Sequence, residues 1–580
     1  MSQEERNRPV KQVFITLHYQ GKRVYRFFVT RKEMSFVLLV TLISASMQIS
    51  FSLSTWGTIH ADEIFQSLEI AHDMVYGYGT IPPEFWDSNP VIPSYAKARS
   101  YIFPFIFSIP MYIGKLFGWN YWRITLPLIR IFLGINGALL TPASYVFVKR
   151  YTKGNKTFAG VSALFITISP ILMFSAFRSV TNIFLLPWIL FIISSFLKTR
   201  GQLQKENENR NQNEPKNRKS VRLYLKVIVL SFLMGLIIYI RIDFIISIVA
   251  ILLIKFPYKK IKIITCNFIG LSLAAVFGGL IDFITYGDFL ISPIQWFRYN
   301  IIEGLSSIHG VSPPYYYFQL LLSSLPLILF VVLCSSVVVG TLVYTIRQYF
   351  KFKDVNWDLL RNVCGFPLAS VIIISIFSFP SHKEIRFIYL ALIFLHICFA
   401  ISLSLLFQIY SPKLSSFTTK ILAKKTKTKN TVKISRILDY SFLSLCCILL
   451  VSGVVISSYE GSKIYKWRAN DALARSLVYV GQLEDCNGVV MFTKGTQFES
   501  YFYLHKEVPL DEYIDMRDEI RMRDQIRQYS EDNTTFNFII FNLEQISLTP
   551  NIVADLTDYN YILNHTIRNE AFIYKFNQTI

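Results

Sequence analysis

The sequence predicts an all-α polytopic membrane protein of about 11 to 13 membrane-spanning helices, followed by a small α/β C-terminal domain. Three observations carry this. Of the 580 residues, 52% are hydrophobic and only 17% charged, with a mean hydropathy of +0.39; a soluble chain carries about 25% charged residues. Long uncharged runs recur from residue 34 to residue 458. Residues 459–580 break that pattern and are long enough for a domain of their own.

The N-terminal arm, 1–33, holds Lys11, Lys22, Arg23, Arg26, Arg31 and Lys32. Short basic flanks stay in the cytosol, so the arm is expected there. The first apolar run, 34–55, is longer than a signal-peptide core and lacks a small-residue cleavage site. It reads as a retained span. The loop 56–99 is then expected in the lumen. Further spans are expected at 100–119, 124–148, 158–177, 182–197, 223–256 (two short helices), 261–286, 317–344, 365–379, 385–407 and 441–458. Residues 34–458 form the transmembrane domain. Within it, the polar low-complexity stretch 199–222 is expected to be disordered. Its charge favours the cytosol, as does that of the basic loop 149–156, but the span list leaves both sides open.

A second basic block, 409–440, holds Lys413, Lys420, Lys424, Lys425, Lys427, Lys429, Lys433 and Arg436 and is expected to be cytosolic. One more span then places the tail in the lumen. Three sequons, at Asn533, Asn564 and Asn577, agree with that side as N-glycosylation acceptors. In the tail, 489–492, 538–541 and 572–576 read as strands and 511–529 as a charged helix.

The net charge of +21 is read as topology rather than nucleic-acid binding, because no nucleic-acid-binding pattern accompanies it. There are seven cysteines, of which Cys486 alone lies in the polar tail. None are paired at metal-ligand spacing, so neither a disulfide framework nor a metal site is expected.

Several polar groups interrupt the apolar pattern. In "IHADEIFQSLEIAHDMVYGYG" His60, Asp62 and Glu63 precede apolar residues at helical spacing. The acids read either as the capped first turn of an interfacial helix or as carboxylates able to take a proton from a hydroxyl at the membrane surface. Arg99, at the start of the second span, is a snorkelling anchor or a contact to a lipid phosphate. Arg178 lies in "FRSVTN", a polar knot between apolar runs. Arg241 and Asp243 sit inside a span, where ionisable groups are a structural pair or a site. Tyr315, Tyr316 and Tyr317 form an interfacial belt or stack on a sugar. In "FPSHKEIRFIYLALIF" His382, Lys383, Glu384 and Arg386 open a span, as anchoring charge or as a phosphate clamp.

Taken together, "HADEIFQSLEIAH", "RSYIFPFIF", "FRSVTN", "HGVSPPYYYFQLLLSSLP" and "HKEIRFIYL" resemble, in this order, glycosyltransferase family 22. The resemblance runs from about residue 55 to residue 405. It implies a GT-C fold and an endoplasmic-reticulum mannosyltransferase using dolichyl phosphate mannose, with a glycolipid acceptor and no cofactor or metal. It further implies Asp62 as the base, Glu63 as its support or the residue that orients the acceptor, and Arg99, His382, Lys383 and Arg386 as donor-phosphate contacts. His60, Arg178, Arg241, Tyr315 and Tyr316 become acceptor or sugar contacts. The opening stretch is most similar to members that add the third mannose of the glycosylphosphatidylinositol (GPI) core. The chain departs from them at Pro314–Tyr317 and Leu390. The fourth-mannose GPI enzyme and the dolichol-linked oligosaccharide enzymes stay open as alternatives. So does a transporter, whose pathway Asp62, Arg241 and Asp243 would line.

Overall fold

The computed structural model describes residues 32–576 except 59, 211–217, 247, 250–260, 324–356, 402–403, 405–469, 494–497, 514–518, 532–534, 543–549 and 568–570. The expected span 441–458, most of 317–344, the block 409–440, nearly all of the N-terminal arm and the sequons Asn533 and Asn577 lie outside the described residues.

The first helix, α1 (Lys32–Ser54), is 23 residues long. At 1.5 Å per residue it spans about 34 Å, enough for a hydrocarbon core of about 30 Å. A π-turn, Ile64–Leu68, leads into α2 (Glu69–Tyr76), which ends at Gly77 with φ +88°. Glycine takes that left-handed cap without a Cβ penalty. The helices α3 (Ile102–Leu116), α4 (Leu126–Ala138), α5 (Leu140–Tyr151), α6 (Lys156–Ile168), α7 (Leu186–Arg210), α8 (Arg218–Ile240) and α9 (Ile261–Tyr286) follow. After them come α10 (Trp357–Ser378) and α11 (Ile385–Ile401). Among the described residues, five helical stretches are long and apolar enough to cross a membrane, and four shorter ones are apolar.

α1 packs on α4 and α6, and α8 and α9 pair along their length. Gly270 permits that pairing: a Cβ there would lie 2.4 Å from the Ile228 carbonyl. Small residues let apolar helices approach where lipid offers no hydrophobic gain from association.

Side-chain contacts decide which loops share an end. Glu33 pairs with Lys149 and Lys156 and accepts from Tyr145, so the 149–156 loop lies at the start of α1. Arg150 reaches Ser194 on α7, and Leu203, Val227 and Ile263 cluster beyond it. The end of α7 and the start of α8 therefore lie at that same end, and the disorder expected over 199–222 is corrected on both flanks: α7 runs on to Arg210 and α8 begins at Arg218. At the other end Arg178 meets Gly57, and Asn182 meets Asp243. α3 does not cross between the two ends. Beside its start the Arg99 carbonyl accepts from Tyr286, and at its far end Lys115 bonds the Val75 carbonyl. Just beyond, Tyr121 bonds the Phe502 carbonyl. The expected span 100–119 is thus a helix held at the Asp62 end. This removes the conflict over the two basic loops.

The tail forms a five-stranded sheet of order β2-β1-β3-β5-β4. Its elements are α12 (Asp471–Gly481), β1 (Val489–Phe492), the one-turn α13 (Tyr501–Leu504), β2 (Leu510–Tyr513), α14 (Glu519–Glu531), β3 (Phe538–Asn542), α15 (Pro550–Asp558), β4 (Tyr561–Ile567) and β5 (Ala571–Phe576). β2 and β3 run parallel to β1, while β5 is antiparallel to β3 and β4. Alternate residues face opposite layers. Val489, Met491 and Phe538 join the core shared with the bundle, while Val490, Phe492 and Ile539 face α14 and α15. The expected helix 511–529 is corrected. Residues 510–513 pair with β1 as an edge strand, and the helix starts at Glu519.

Candidate active site

The chain entering from α1 turns at His60–Glu63. Glu63 Oε1 accepts the His60 amide at 3.1 Å, which closes the turn. Its Oε2 lies 3.4 Å from Arg178, and its carboxylate is 3% exposed. The turn throws Asp62 outward, where it ion-pairs with Arg386. His60 bridges two acids, with Nδ1 3.3 Å from Asp62 and Nε2 3.2 Å from Glu384. Glu384 also receives His382 at 2.8 Å and pairs with Arg386.

These charges set one another. Burial opposes ionisation of Asp62, but Arg386 and His60 outweigh it and hold the carboxyl well below its usual range. Burial likewise opposes the charge on Glu384, which His382, His60 and Arg386 overcome in the same direction. His60 is raised to about 9: burial lowers it, and Asp62 more than compensates. At neutral pH the network holds two carboxylates against an imidazolium and a guanidinium.

This network is a wall between two cavities. The larger, of about 810 Å³, is lined by Asp62, Gln66, Glu84, Arg99, Arg241 and the aromatic rings of Tyr95, Trp296 and Tyr299. The smaller, of about 400 Å³, is lined by Glu63, Arg178, Tyr316 and Lys383. His60, His309, His382, Glu384 and Arg386 line both. In the larger cavity Arg241 grips Asp243 through Nε at 3.1 Å, while its buried Nη1 has no hydrogen-bond partner among the described residues. An orphaned buried donor calls for a ligand. Glu84 accepts from Gln66 at 2.8 Å, and the Tyr95 and Tyr299 rings stack at 4.8 Å.

The structure gathers His60, Asp62, Arg99, Arg241, His382 and Arg386 around one cavity. It separates others. The Lys383 ammonium is engaged by the Ser312 and Pro380 carbonyls and reaches only the smaller cavity. Arg178 is buried as a strut to the Gly57 and Phe174 carbonyls. Tyr315 is 62% exposed and lines neither cavity, whereas Tyr317 is buried with its hydroxyl on the Glu384 carbonyl. Glu84, Gln66, Tyr95, Trp296 and Tyr299 were not singled out from the sequence. Only the isolated acid of "PPEF" gave any signal. The apolar stripe from Ile64 to Val75 is no membrane-surface helix either. Ile64, Leu68, Ile70, Ala71 and Val75 are all buried, between α3 and the tail.

Residues 37–464 match the family described as the Alg9-like mannosyltransferase family, glycosyltransferase family 22. The chain belongs to this family. The five described helical stretches long and apolar enough to cross a membrane are in keeping with that membership. The chain is 26% identical over 359 residues to GPI mannosyltransferase 3 of Debaryomyces hansenii, covering 61% of this chain and 57% of that relative. Among solved structures it is similar to ArnT from Cupriavidus metallidurans bound to undecaprenyl phosphate (13% identity, 95% and 98% of the two chains, TM-score 0.46). It is also similar to the Archaeoglobus fulgidus oligosaccharyltransferase (11% identity, 95% and 75%, TM-score 0.44).

Proposed function

We propose that this protein transfers mannose, with inversion, from dolichyl phosphate mannose to a GPI precursor in the endoplasmic-reticulum lumen, making an α-1,2-linked third mannose within a GT-C fold. One observation carries the reading: a part-buried carboxylate, Asp62, shares a cavity with Arg99 and the orphaned Nη1 of Arg241. That is a base facing donors suited to a phosphate. The similarity to GPI mannosyltransferase 3 supports the acceptor.

In this mechanism the donor phosphate rests on Arg99 and Arg241 and draws Arg386 away from Asp62. An acceptor hydroxyl attacks the anomeric carbon. The carbon–oxygen bond to phosphate breaks, the hydroxyl proton passes to Asp62, and dolichyl phosphate leaves as an anion needing no proton. A β-linked donor gives an α-mannoside. The arginines supply the positive charge at the leaving group, so the step requires no metal. Gln66 and Glu84 hold sugar hydroxyls, and Tyr95, Trp296 and Tyr299 offer faces to the ring.

The test supplies labelled dolichyl phosphate mannose to membranes containing the chain and identifies the lipid that gains mannose. The expected product is a GPI precursor carrying a third mannose. Label on a dolichol-linked oligosaccharide would change the acceptor. No labelled glycolipid would end the proposal.

A further inference from the structure

Among the described residues none of the tail lines either cavity, yet the tail grips both ends of the segment that carries Asp62. On the upstream side, Asp471 at the head of α12 accepts the amides of Trp56 at 2.5 Å and Gly57 at 3.4 Å. Arg475 steadies Asp471 at 2.9 Å, bonds the Ser54 carbonyl at 2.9 Å and lies over the Trp56 ring. Tyr503 of α13 donates to the Trp56 carbonyl. On the downstream side, Glu69 opens α2 with no exposed surface. Its Oε1 accepts the amides of Thr80 at 3.0 Å and Tyr501 at 2.9 Å. Its Oε2 accepts the Phe502 amide at 3.0 Å and the Ser500 hydroxyl at 2.9 Å. One turn on, His72 Nε2 meets His505 Nδ1 at 2.8 Å, and the His505 ring stacks on Tyr121 at 3.6 Å.

We propose that Glu69 and Asp471 are positioning residues: through them the tail splints residues 57–69 and fixes where the Asp62 carboxylate stands. The inference rests on the reading of Asp62 as the base. Its physical reason lies between the two grips. Ile64–Leu68 is a π-turn, a rare geometry that persists where surrounding contacts enforce it. Relaxing it to an α-turn would rotate everything upstream about the helix axis, Asp62 included. Glu69 resists that rotation because a buried carboxylate holding four donors is fixed in register as well as in place. Neither Glu69 nor Asp471 lines either of the two cavities, so neither touches a substrate held there. Any effect they have on turnover passes through the segment between them.

The experiment uses the full chain in lipid nanodiscs. Two readouts are taken for the wild type, Glu69→Gln, Ser500→Ala and Asp471→Asn. Hydrogen exchange is followed over 60–68 and 500–505, and kcat and donor KM are measured with dolichyl phosphate mannose. Glu69→Gln should raise exchange over 60–68 by about tenfold while α8 and α9 keep wild-type protection. It should lower kcat by about tenfold with donor KM unchanged, because misplacement of a reacting group by about 1 Å costs up to about a hundredfold. Ser500→Ala removes one of the four donors and should shift both readouts the same way by less; it and Asp471→Asn carry the test if Glu69→Gln does not accumulate. The splint is overturned if exchange rises over 500–505 while 60–68 stays as in the wild type, or if KM rises with kcat unchanged. A wild-type chain that transfers no mannose overturns the proposed function instead, and the exchange measurement still decides the splint.

Discussion

Asp62 is pulled in two directions. A base needs affinity for a proton, and Arg386 removes that affinity by pairing with the carboxylate. In the proposed mechanism the conflict resolves when phosphate arrives and the pair opens; until then Arg386 would hold Asp62 in a protected form. Asp62→Asn is expected to lower kcat by about 10²- to 10⁴-fold at unchanged protein level, measured as mannosyl transfer in membranes; normal turnover would remove Asp62 from the mechanism. His60 sets a second expectation. Its raised pKa of about 9 keeps it charged through neutral pH, and the network loses a cation as pH rises through that value. Plotted against pH, kcat/KM should hold through the neutral range and fall above about 9, and His60→Asn should abolish that alkaline fall. The sequence showed His60, Asp62 and Arg386 because charges at the edge of an apolar run are conspicuous. Lys383 and Arg178 were equally conspicuous, yet main-chain carbonyls that a sequence does not display engage both, with Glu63 beside them at Arg178. Glu84 hid in a loop whose path depends on packing against distant segments.

At the scale of elements, periodicity located α2 but gave it the wrong surroundings. A stripe of Ile64, Leu68, Ala71 and Val75 fits a lipid surface and a protein interior equally well. What decides is the polar side of the same helix, where Glu69 and His72 are matched by the tail. That match has a pH dependence. Burial pushes His72 down to about 3 and His505 to about 4, against about 6.5 for a free imidazole. Glu69, Tyr76, Tyr78, Tyr121 and Trp122 surround the pair. Above pH 6.5 both histidines are neutral whether the tail is docked or free. Below it the undocked form takes up imidazole protons that the docked one refuses, so the pair weakens docking as pH falls from about 6.5 towards 4, against a smaller opposite push from Glu69, whose carboxyl burial raises to about 7. Limited proteolysis of the tail should quicken between pH 7.5 and pH 5; identical rates would show that the pair does not govern docking. The strands β1, β3 and β5 were legible as short apolar and aromatic runs in a polar tail, whereas β2 was absorbed into the charged helix that follows it. α3 looked like a span because its composition is apolar and nothing in the sequence says that it turns back.

For the whole molecule, the Glu33 pairs and the Arg150–Ser194 contact place the start of α1, the 149–156 loop and α7's far half at one end, and the contacts of Asp471 and Glu69 place the tail with the Asp62 segment at the other. Single cysteines at positions 153 and 205 should react with a membrane-impermeant thiol reagent from the same side of sealed vesicles. Asn564, exposed on β4, should carry a glycan on the opposite side. Reaction of 153 and 205 from opposite sides would overturn the arrangement. The charged wall between the two cavities has a consequence for how this protein would be controlled. Its residues belong to both compartments, so a ligand that claims Arg386 on one side changes the field felt on the other. Such linkage is reciprocal: whatever the first occupant does to the affinity of the second, the second does to the first. Donor and acceptor would therefore report on each other's presence. Under the proposed function, this arrangement would keep the Asp62 carboxylate quiet until both are aboard and so guard a costly activated sugar against loss to water.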